Sequence, residues 1–572
     1  METKLIGRVI ATEKKPTSVD TFAFWTDSKL ILNPFDIVRV DHVNGSRSYG
    51  VIEDISHITD ASSFLTNYIS SDFGDVEVTP PTFRVGMNYV DAKIICNTKG
   101  IYIPVQSDEK VWLADEAEIT YALGLDNKHC VLPSGFLEMY ENTSETEKVV
   151  IPVKLDPRFV IGPEGAHLNI SGISGLAAKT SYAMFLMKAI QDSYRDVNPE
   201  DGSVAFILFN VKGKDLMGIH LPNDFMEDGK NTPEQAEVER QQVHSLYEKM
   251  GLSTSPFDNV QYLVPNGEID RAASNTFLSE AELANYIQSD MASQFVFTYE
   301  KDKEDLDLLL SNVDDSNQTL DAIQEYIISG AGGFDKCDDW QSFLDLVSKH
   351  CDPTESPNKK SKDIPVVSWR RFSRIIRKTI DHSALFERDA RGETVRLEDK
   401  LRQIKPNDVM VIDVANLGEI MQSFVFGDAV RIINKLQLGE YDHQGAKPPK
   451  KIIIFIDELN KYASTETPKN SPILRQILDV TERGRSLGVI LFAAEQFRSA
   501  IHDRVKGNCS THAYGRTNAI ETSKTDYRIV PNTYKSILTR LDQGEYLIQN
   551  PVFRSMLKIK FPKPLYKQFK QN

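Results

Sequence analysis

The chain has 572 residues, which at roughly 150 residues per domain predicts about four domains with cores that stand without disulfide or metal staples. Hydrophobic residues make up 41% and charged residues 26%, an ordinary globular balance that excludes wholesale disorder. Lys and Arg number 66 against 82 Asp and Glu, a net charge of −16, so a basic coat is excluded and any nucleic-acid contact has to be local and internal.

Residues 1–150 read as β. Short alternating runs recur at Leu5–Ile10, Thr21–Trp25, Asp36–His42, Tyr49–Ile58, Lys93–Thr98 and Ile101–Val105, separated by turn residues such as Asn33-Pro34 and Asn44-Gly45-Ser46. This spacing predicts a small barrel or sandwich. The polar stretch Thr143–Glu147 reads as a linker. Beyond it the pattern changes to strand and helix in alternation. Val204–Val211, Asp408–Val414, Lys451–Asp457 and Gly488–Ala494 are near-continuous apolar runs of the kind buried on both faces of a parallel sheet. Helical patterns lie at Ser181–Asp192, Gly418–Leu436 and Pro472–Leu487, and the alternation predicts an α/β domain with a mostly parallel sheet. Residues 215–390 interrupt it with charged sequence, the joint Pro353–Pro357 and helical patterns at Thr319–Ser329 and Trp340–His350, which reads as a mostly helical insertion. The expected division is therefore 1–150 as the barrel, 151–214 with 391–550 as the α/β core, 215–390 as the insertion and 551–572 as a C-terminal brace or tail. In that tail Leu565, Tyr566 and Phe569 either brace a neighbouring subunit or pack on the chain's own core.

The stretch His167-Leu-Asn-Ile-Ser-Gly172-Ile-Ser174-Gly175-Leu-Ala-Ala-Lys179-Thr180-Ser181 carries the first chemistry. An apolar strand runs through a glycine turn into Lys-Thr and a long helix, the layout of a phosphate-binding loop. Backbone N–H groups wrap the phosphates, the helix N-terminus adds its dipole, Lys179 reaches the terminal phosphates and Thr180 offers a hydroxyl to Mg²⁺. The pattern G-x-x-x-x-G-K-[ST] places Lys six residues after its first glycine. Here Lys179 is seven after Gly172, and Ala177-Ala178 replace the second glycine. A second signal is the apolar strand Lys451–Ile456 ending in Asp457-Glu458. Ligands of open α/β sheets bind beyond the C-terminal strand edge, where Asp457 can serve the Mg²⁺ shell and Glu458 can polarise the attacking water. A third is Thr481-Glu-Arg483-Gly-Arg485-Ser-Leu-Gly488 ahead of a strand that ends in Glu495-Gln496. Gln496 would orient water at the γ-phosphate, and Arg483 or Arg485 could serve a neighbouring subunit's phosphate. Equally, the two arginines could answer a helix macrodipole that Gly488 terminates.

Together these motifs resemble the HerA/FtsK class of hexameric DNA-translocating ATPases, and HerA most closely. His167–Gly175 resembles the lead-in to the phosphate loop of that family, Asp457-Glu458-Leu-Asn-Lys-Tyr462 its second motif, and Arg483–Gly488 its Glu-Gly-Arg-x-x-Gly segment. Ile6-Gly7-Arg8-Val9 through Gly50-Val51-Ile52 looks like the small HAS barrel that precedes the motor. The resemblance covers about two thirds of the chain. It implies a RecA-like P-loop motor with an N-terminal barrel and a helical insertion, ATP and Mg²⁺ as cofactors, a homo-hexamer with duplex DNA in its pore, and a partner effector. That effector, by resemblance, is a nuclease or a sirtuin-like NAD hydrolase, in DNA end processing or defence against phages. The chain departs from the family in its long, glycine-poor phosphate loop, in Asn210-Val-Lys212-Gly213-Lys214 where an acidic turn is expected, and in the size of the insertion.

The clearest basic cluster is Ser368–Ile380, which places Arg370, Arg374 and Arg377 on one helical face beside Arg371. These are candidate DNA contacts or, alternatively, partners of acids such as Asp345 and Glu387. His167 reads as a packing residue. No H-x-x-x-H or H-E-x-x-H pair is present, and nucleophile signatures such as G-x-S-x-G are absent from plausible strand-turn-helix contexts, which argues against a zinc hydrolase or a serine esterase. The five scattered cysteines (Cys96, Cys130, Cys337, Cys351, Cys509) read as reduced thiols. No apolar run approaches the ~18 residues of a membrane span, and charges stand where a signal peptide needs an apolar core. A cytoplasmic location with no membrane contact is expected. Two functions follow: a hexameric ATP-driven DNA translocase serving an effector, or an ATP-binding ring scaffold with weak hydrolysis that assembles the effector.

Overall fold

The computed structural model describes residues 4–70, 73, 77, 85–143, 146–173, 175, 178–197, 202–226, 231–267, 275–311, 319–354, 364–381, 383–390, 392, 394–441 and 447–569. The chain divides into two compact units, Met1–Asp156 with Tyr514–Phe561, and Pro157–Ala513 with Pro562–Asn572.

In the first unit β1 (Leu5–Ile10), β2 (Thr21–Thr26), β3 (Ile37–His42), β4 (Ser46–Thr59), β5 (Gly86–Asn97) and β6 (Lys110–Leu113) close a barrel in the order β1-β2-β5-β4-β3-β6. Buried Val9, Phe24, Val40, Ile52 and Val90 come from successive strands to fill it, and closure leaves no unpaired strand edge. The strand expected at Ile101–Val105 does not form. Pro104 lacks an amide hydrogen for the ladder, and the barrel closes instead through Lys110–Leu113, where Leu5 faces Trp112. Helix α1 (Phe64–Ser70) follows β4, and α2 (Glu116–Leu123) follows β6 behind a capping box of Asp115 and Glu118. Glu118 also accepts from Arg39 at 2.9 Å and Arg47 at 3.0 Å. Strands β7 (Leu132–Met139) and β8 (Val149–Leu155) then pair antiparallel. The expected linker between them is described only in part, residues 144–145 lying outside the described residues.

The second unit is an α/β sheet. Its strands are β9 (Leu168–Ser171), β10 (Val204–Asn210), β11 (Val260–Pro265), β12 (Ala292–Thr298), β13 (Phe386–Glu387), β14 (Thr394–Arg396), β15 (Val409–Asp413), β16 (Lys451–Asp457), β17 (Val489–Glu495) and β18 (Thr511–Tyr514), in the order β13-β12-β11-β15-β10-β16-β17-β9-β18 with β14 on β12. Every pairing from β13 to β9 is parallel. All seven residues of β10 are buried, as a strand covered by helices on both faces requires. The helices are α3 (Lys179–Tyr194), α4 (Pro233–Lys249), α5 (Glu280–Gln288), α6 (Tyr299–Asp302), α7 (Thr319–Ile328), α8 (Trp340–His350), α9 (Val366–Ile380), α10 (Leu397–Leu401), α11 (Glu419–Leu438), α12 (Pro472–Leu487) and α13 (Asp503–Asn508). β17 lies between β9 and β16, so the strand that leads into the candidate phosphate loop and the strand that ends in acids are one strand apart.

Most of the regular structure described in residues 215–390 is helical, but the segment also adds strands to the sheet, which the sequence pattern did not predict. Their β11 and β12 extend the same sheet past β15, with Tyr262 opposite both Val411 and Ala292. Both strands are short and interrupted by Gln or Ser, so neither carries a long periodic signal. The helical part packs around Trp369 of α9, fully buried and stacked on His350 with ring centroids 4.4 Å apart.

The first unit is completed by α14 (Ala519–Thr522), α15 (Asn532–Leu538), β19 (Glu545–Gln549) and β20 (Leu557–Lys560). The order β19-β20-β7-β8 makes an antiparallel sheet, with Ile559 opposite Leu137, and Tyr534 stacks on Phe35 at 4.0 Å. Residues 514–550 therefore belong with the N-terminal unit and not with the α/β core, as the sequence division had them. Pairing partners 422 residues apart in sequence, 137 and 559, leave no local trace. The last segment, from Pro562, packs in the second unit, where Tyr566 lies 6.1 Å from Phe257.

Candidate functional site

The parallel strands β9, β16 and β17 end together, and the predicted motifs meet at that edge. Gly172 directly follows β9, and its amide donates to the Glu495 carbonyl at 3.1 Å, carrying the β9–β17 pairing one step into the loop. Gly175 is exposed with φ +79°, and Ser174 lies outside the described residues. Ala178 then takes the left-handed conformation with φ +48°, and α3 starts at Lys179 without a side-chain cap. The first-turn amides of α3 are thus orphan donors at the positive end of a 16-residue helix, an anion-binding geometry. A non-glycine residue in this region costs about 1 kcal/mol. Ala178→Gly is expected to recover most of it, raising Tm by roughly 2 °C; an unchanged melting curve would show that the turn is unstrained.

Lys179 is buried, its Nζ 3.6 Å from Asp457 Oδ1 and 3.7 Å from Glu458 Oε1, yet within hydrogen-bond geometry of neither. Thr180 Oγ1 donates to Asp457 Oδ2 at 3.0 Å. A hydroxyl and a carboxylate are hard oxygen donors that suit Mg²⁺, an ion usually held by one or two protein oxygens with water and phosphate completing its shell. Among the described residues no group of three or more His, Cys, Asp or Glu stands as a metal cage. Glu458 adopts φ +60°, and its Oε1 accepts from Gln496 Nε2 at 3.2 Å. Lys179, Thr180, Asp457, Glu458 and Gln496 therefore form one constellation built by three chain segments. Ser181 is nearly buried and accepts from Gln568 at 2.9 Å.

The arginines are elsewhere. Arg483 and Arg485 stand exposed in the last turns of α12, next to the start of β17 and so at the opposite sheet edge, roughly 20 Å of strand from the candidate phosphate loop. Arg483 pairs with Asp479, and Arg485 donates to the Glu164 carbonyl at 3.1 Å. Gly488 ends α12 in the left-handed conformation, φ +80°. On α9, Arg377 is tied to Ser348 at 2.6 Å and to the Leu344 carbonyl at 3.2 Å, and Arg370 reaches the Cys351 carbonyl at 3.1 Å. Arg374 is exposed and Arg371 half-buried. The face is basic, but two of its arginines hold α9 to α8 and its following turn.

Several residues beneath the loop escaped sequence reasoning. Glu495, fully buried at the end of β17, accepts from Asn169 Nδ2 at 2.7 Å. Arg498 donates to Asn169 Oδ1 at 2.7 Å and meets His512 Nδ1 at 2.9 Å. A carboxylate closing an otherwise apolar strand was the available signal. His167 packs, its Nδ1 accepting the Leu491 amide at 3.0 Å. Burial pushes the Glu495 carboxyl up to about 8, against the pull of the Asn169 hydrogen bond and the charges of Arg498 and Lys179. The folded state then holds a proton that the unfolded chain releases near pH 4.3. Stability from this group is complete below that pH and is lost as pH rises toward 8. Glu495→Gln, never charged, is expected to match the native Tm at pH 5 and exceed it at pH 8; an equal difference at both would contradict the protonated reading.

A glycine turn into a Lys-Thr helix start, an interposed strand, and an Asp-Glu pair ending the next strand define the class: a RecA-type P-loop α/β unit, carried here with a closed six-stranded barrel. This is the architecture that the HerA/FtsK resemblance implies. No protein-family model and no curated protein matches the chain. Among solved structures it is similar to the plasmid coupling protein TrwB in complex with the non-hydrolysable GTP analogue GDPNP, at 10% identity over 71% of this chain and 87% of that one, TM-score 0.39. TrwB in complex with ADP and Mg²⁺ aligns at 10% identity over 73% and 89%, TM-score 0.39. The genome packaging NTPase B204 from Sulfolobus turreted icosahedral virus 2, in complex with ATP-gammaS, aligns at 14% identity over 29% and 72%, TM-score 0.22. Among the described residues no helix is long and apolar enough to cross a membrane.

Proposed function

We propose that the chain is an ATP-hydrolysing motor that assembles as a homo-hexamer, moves duplex DNA through its pore and serves a partner effector. The observation that carries this reading is the constellation of Lys179, Thr180, Asp457, Glu458 and Gln496 at one strand edge. In it the first-turn amides of α3 and Gly172, Ser174 and Gly175 hold the phosphates, and Lys179 neutralises their terminal charge. Thr180 and Asp457 would hold Mg²⁺, which would supply neutralisation of the phosphates' negative charge. Glu458 takes the proton of the attacking water, and Gln496, already bonded to Glu458, orients it. Arg485 or Arg483, which point away from their own loop, would serve the phosphate of the next protomer. The exposed Arg374 on α9, with Arg370, Arg371 and Arg377, supplies the candidate DNA contact, multiplied by the copies in a ring. The effector, a nuclease or a sirtuin-like NAD hydrolase acting in DNA end processing or antiphage defence, rests on the HerA resemblance alone, as does a cytoplasmic location.

A second reading is an ATP-bound ring scaffold with weak hydrolysis. It is favoured by Ala178 in a conformation that suits glycine and by Lys179 lying against the site's own carboxylates. ATP hydrolysis with and without linear duplex DNA separates the two. The motor requires turnover that rises with DNA and falls at least 100-fold in Lys179→Ala. Turnover indifferent to DNA would leave the scaffold, and turnover indifferent to Lys179 would remove the site.

A further inference from the structure

The C-terminal segment reaches the mouth of the phosphate loop. Its backbone is fixed: the Lys567 amide donates to the Leu221 carbonyl at 2.8 Å, the Asn223 amide to the Leu565 carbonyl at 2.8 Å, and Tyr566 bridges Pro222. From this anchored strap the exposed Gln568 side chain donates to Ser181 Oγ at 2.9 Å. Tyr566 is 3% exposed, and its hydroxyl, beside Ser181, Gln568 and Asp215, finds no hydrogen-bond partner of proper geometry. Buried hydroxyls are normally satisfied, so an unsatisfied one at the edge of a candidate anion site calls for a partner that the chain itself does not supply.

The helix geometry says which part of a ligand that group belongs to. Successive residues of a helix point about 100° apart. Thr180 faces Asp457, whereas Ser181 faces the tail. With the terminal phosphate at Lys179, Asp457 and Glu458, the other end of the molecule leaves toward Ser181. We propose that Tyr566 and Gln568 form the nucleoside side of the site, hydrogen-bonding the ribose and α-phosphate of a bound nucleoside triphosphate. This rests on the phosphate-loop reading above. The Gln568 carboxamide offers a donor and an acceptor to ribose hydroxyls, and the Tyr566 hydroxyl donates to a phosphate oxygen. Because the strap is anchored before the ligand arrives, little order has to be gained on binding.

The test is calorimetric titration of the full-length protein with Mg-ATP and, separately, with magnesium pyrophosphate, which can fill the two terminal phosphate positions but has neither the third phosphate nor the nucleoside. Tyr566→Phe keeps the ring, and Gln568→Ala alters an exposed side chain, so both variants should fold. Each is expected to weaken ATP binding roughly tenfold and to leave pyrophosphate within about twofold. Lys179→Ala is expected to weaken both ligands. If Tyr566→Phe and Gln568→Ala bind ATP as the native protein does, or lose both ligands equally, the tail is only a structural brace and the proposal falls. If Lys179→Ala keeps both ligands at native affinity, the phosphate-loop reading fails, and the proposal with it.

Discussion

Glu458→Gln is expected to bind ATP and not turn it over. Gln has nearly the shape of Glu and leaves the αL turn at φ +60° undisturbed, but it cannot accept the proton of the attacking water. A positioned general base contributes about 10²–10⁴-fold, so kcat should fall by at least 100-fold. Binding should change little, since in the proposed site the first turn of α3 and Lys179 hold the phosphates. The loss of one carboxylate 3.7 Å from Lys179 Nζ frees that cation for the phosphates, so ATP affinity should hold or rise. Single-turnover hydrolysis and a separate titration with ATP report the two quantities. A variant that keeps more than about a tenth of native turnover would take the role away from Glu458.

The largest effect on stability is expected at Gly488. It ends α12 with φ +80°, and a Cβ there would lie 2.1 Å from the Lys450 carbonyl oxygen, just ahead of β16. Backbone cannot yield as a side-chain end can, and neighbouring β16 carries Asp457. Gly439 ends α11 with φ +75° and has open space where a Cβ would go. Gly439→Ala therefore measures the dihedral cost alone, about 1 kcal/mol. Gly488→Ala adds the clash, for a total of roughly 3 kcal/mol or more. Because the chain has two compact units, the melting transition to follow is the one that ATP shifts upward. Equal effects of the two variants would show that the α12–β17 junction relaxes freely.

How much of this was legible depends on the range over which each feature is encoded. The apolar runs at 204–211, 408–414, 451–457 and 488–494 all became strands of one parallel sheet, because burial on both faces demands a composition visible in seven residues. The glycine turn before Lys179 and the acids after Ile456 are likewise local. Strand β11 was missed because Gln261 and a short span blur its pattern, and β6 because it has only four residues. The division of the chain at 514 was missed because it rests on pairing between residues 137 and 559. For Arg377 the sequence offered a DNA contact or an acidic partner such as Asp345 or Glu387; its bonds to Leu344 and Ser348 come from a neighbouring helix.

The sequence by itself determined the class of fold, a small β unit before a parallel α/β unit, and nominated the phosphate loop and the Asp457-Glu458 pair. Periodicity, glycine turns and strand-end acids are properties of ten-residue windows, and such windows suffice for them. Only the tertiary structure decided that Thr180 bonds Asp457 across 277 positions, that Glu495 is buried against Asn169, and that Gln568 returns to Ser181 across 387 positions of chain. Those partners are chosen by sheet order and burial, which bring together side chains whose neighbours along the chain say nothing about them.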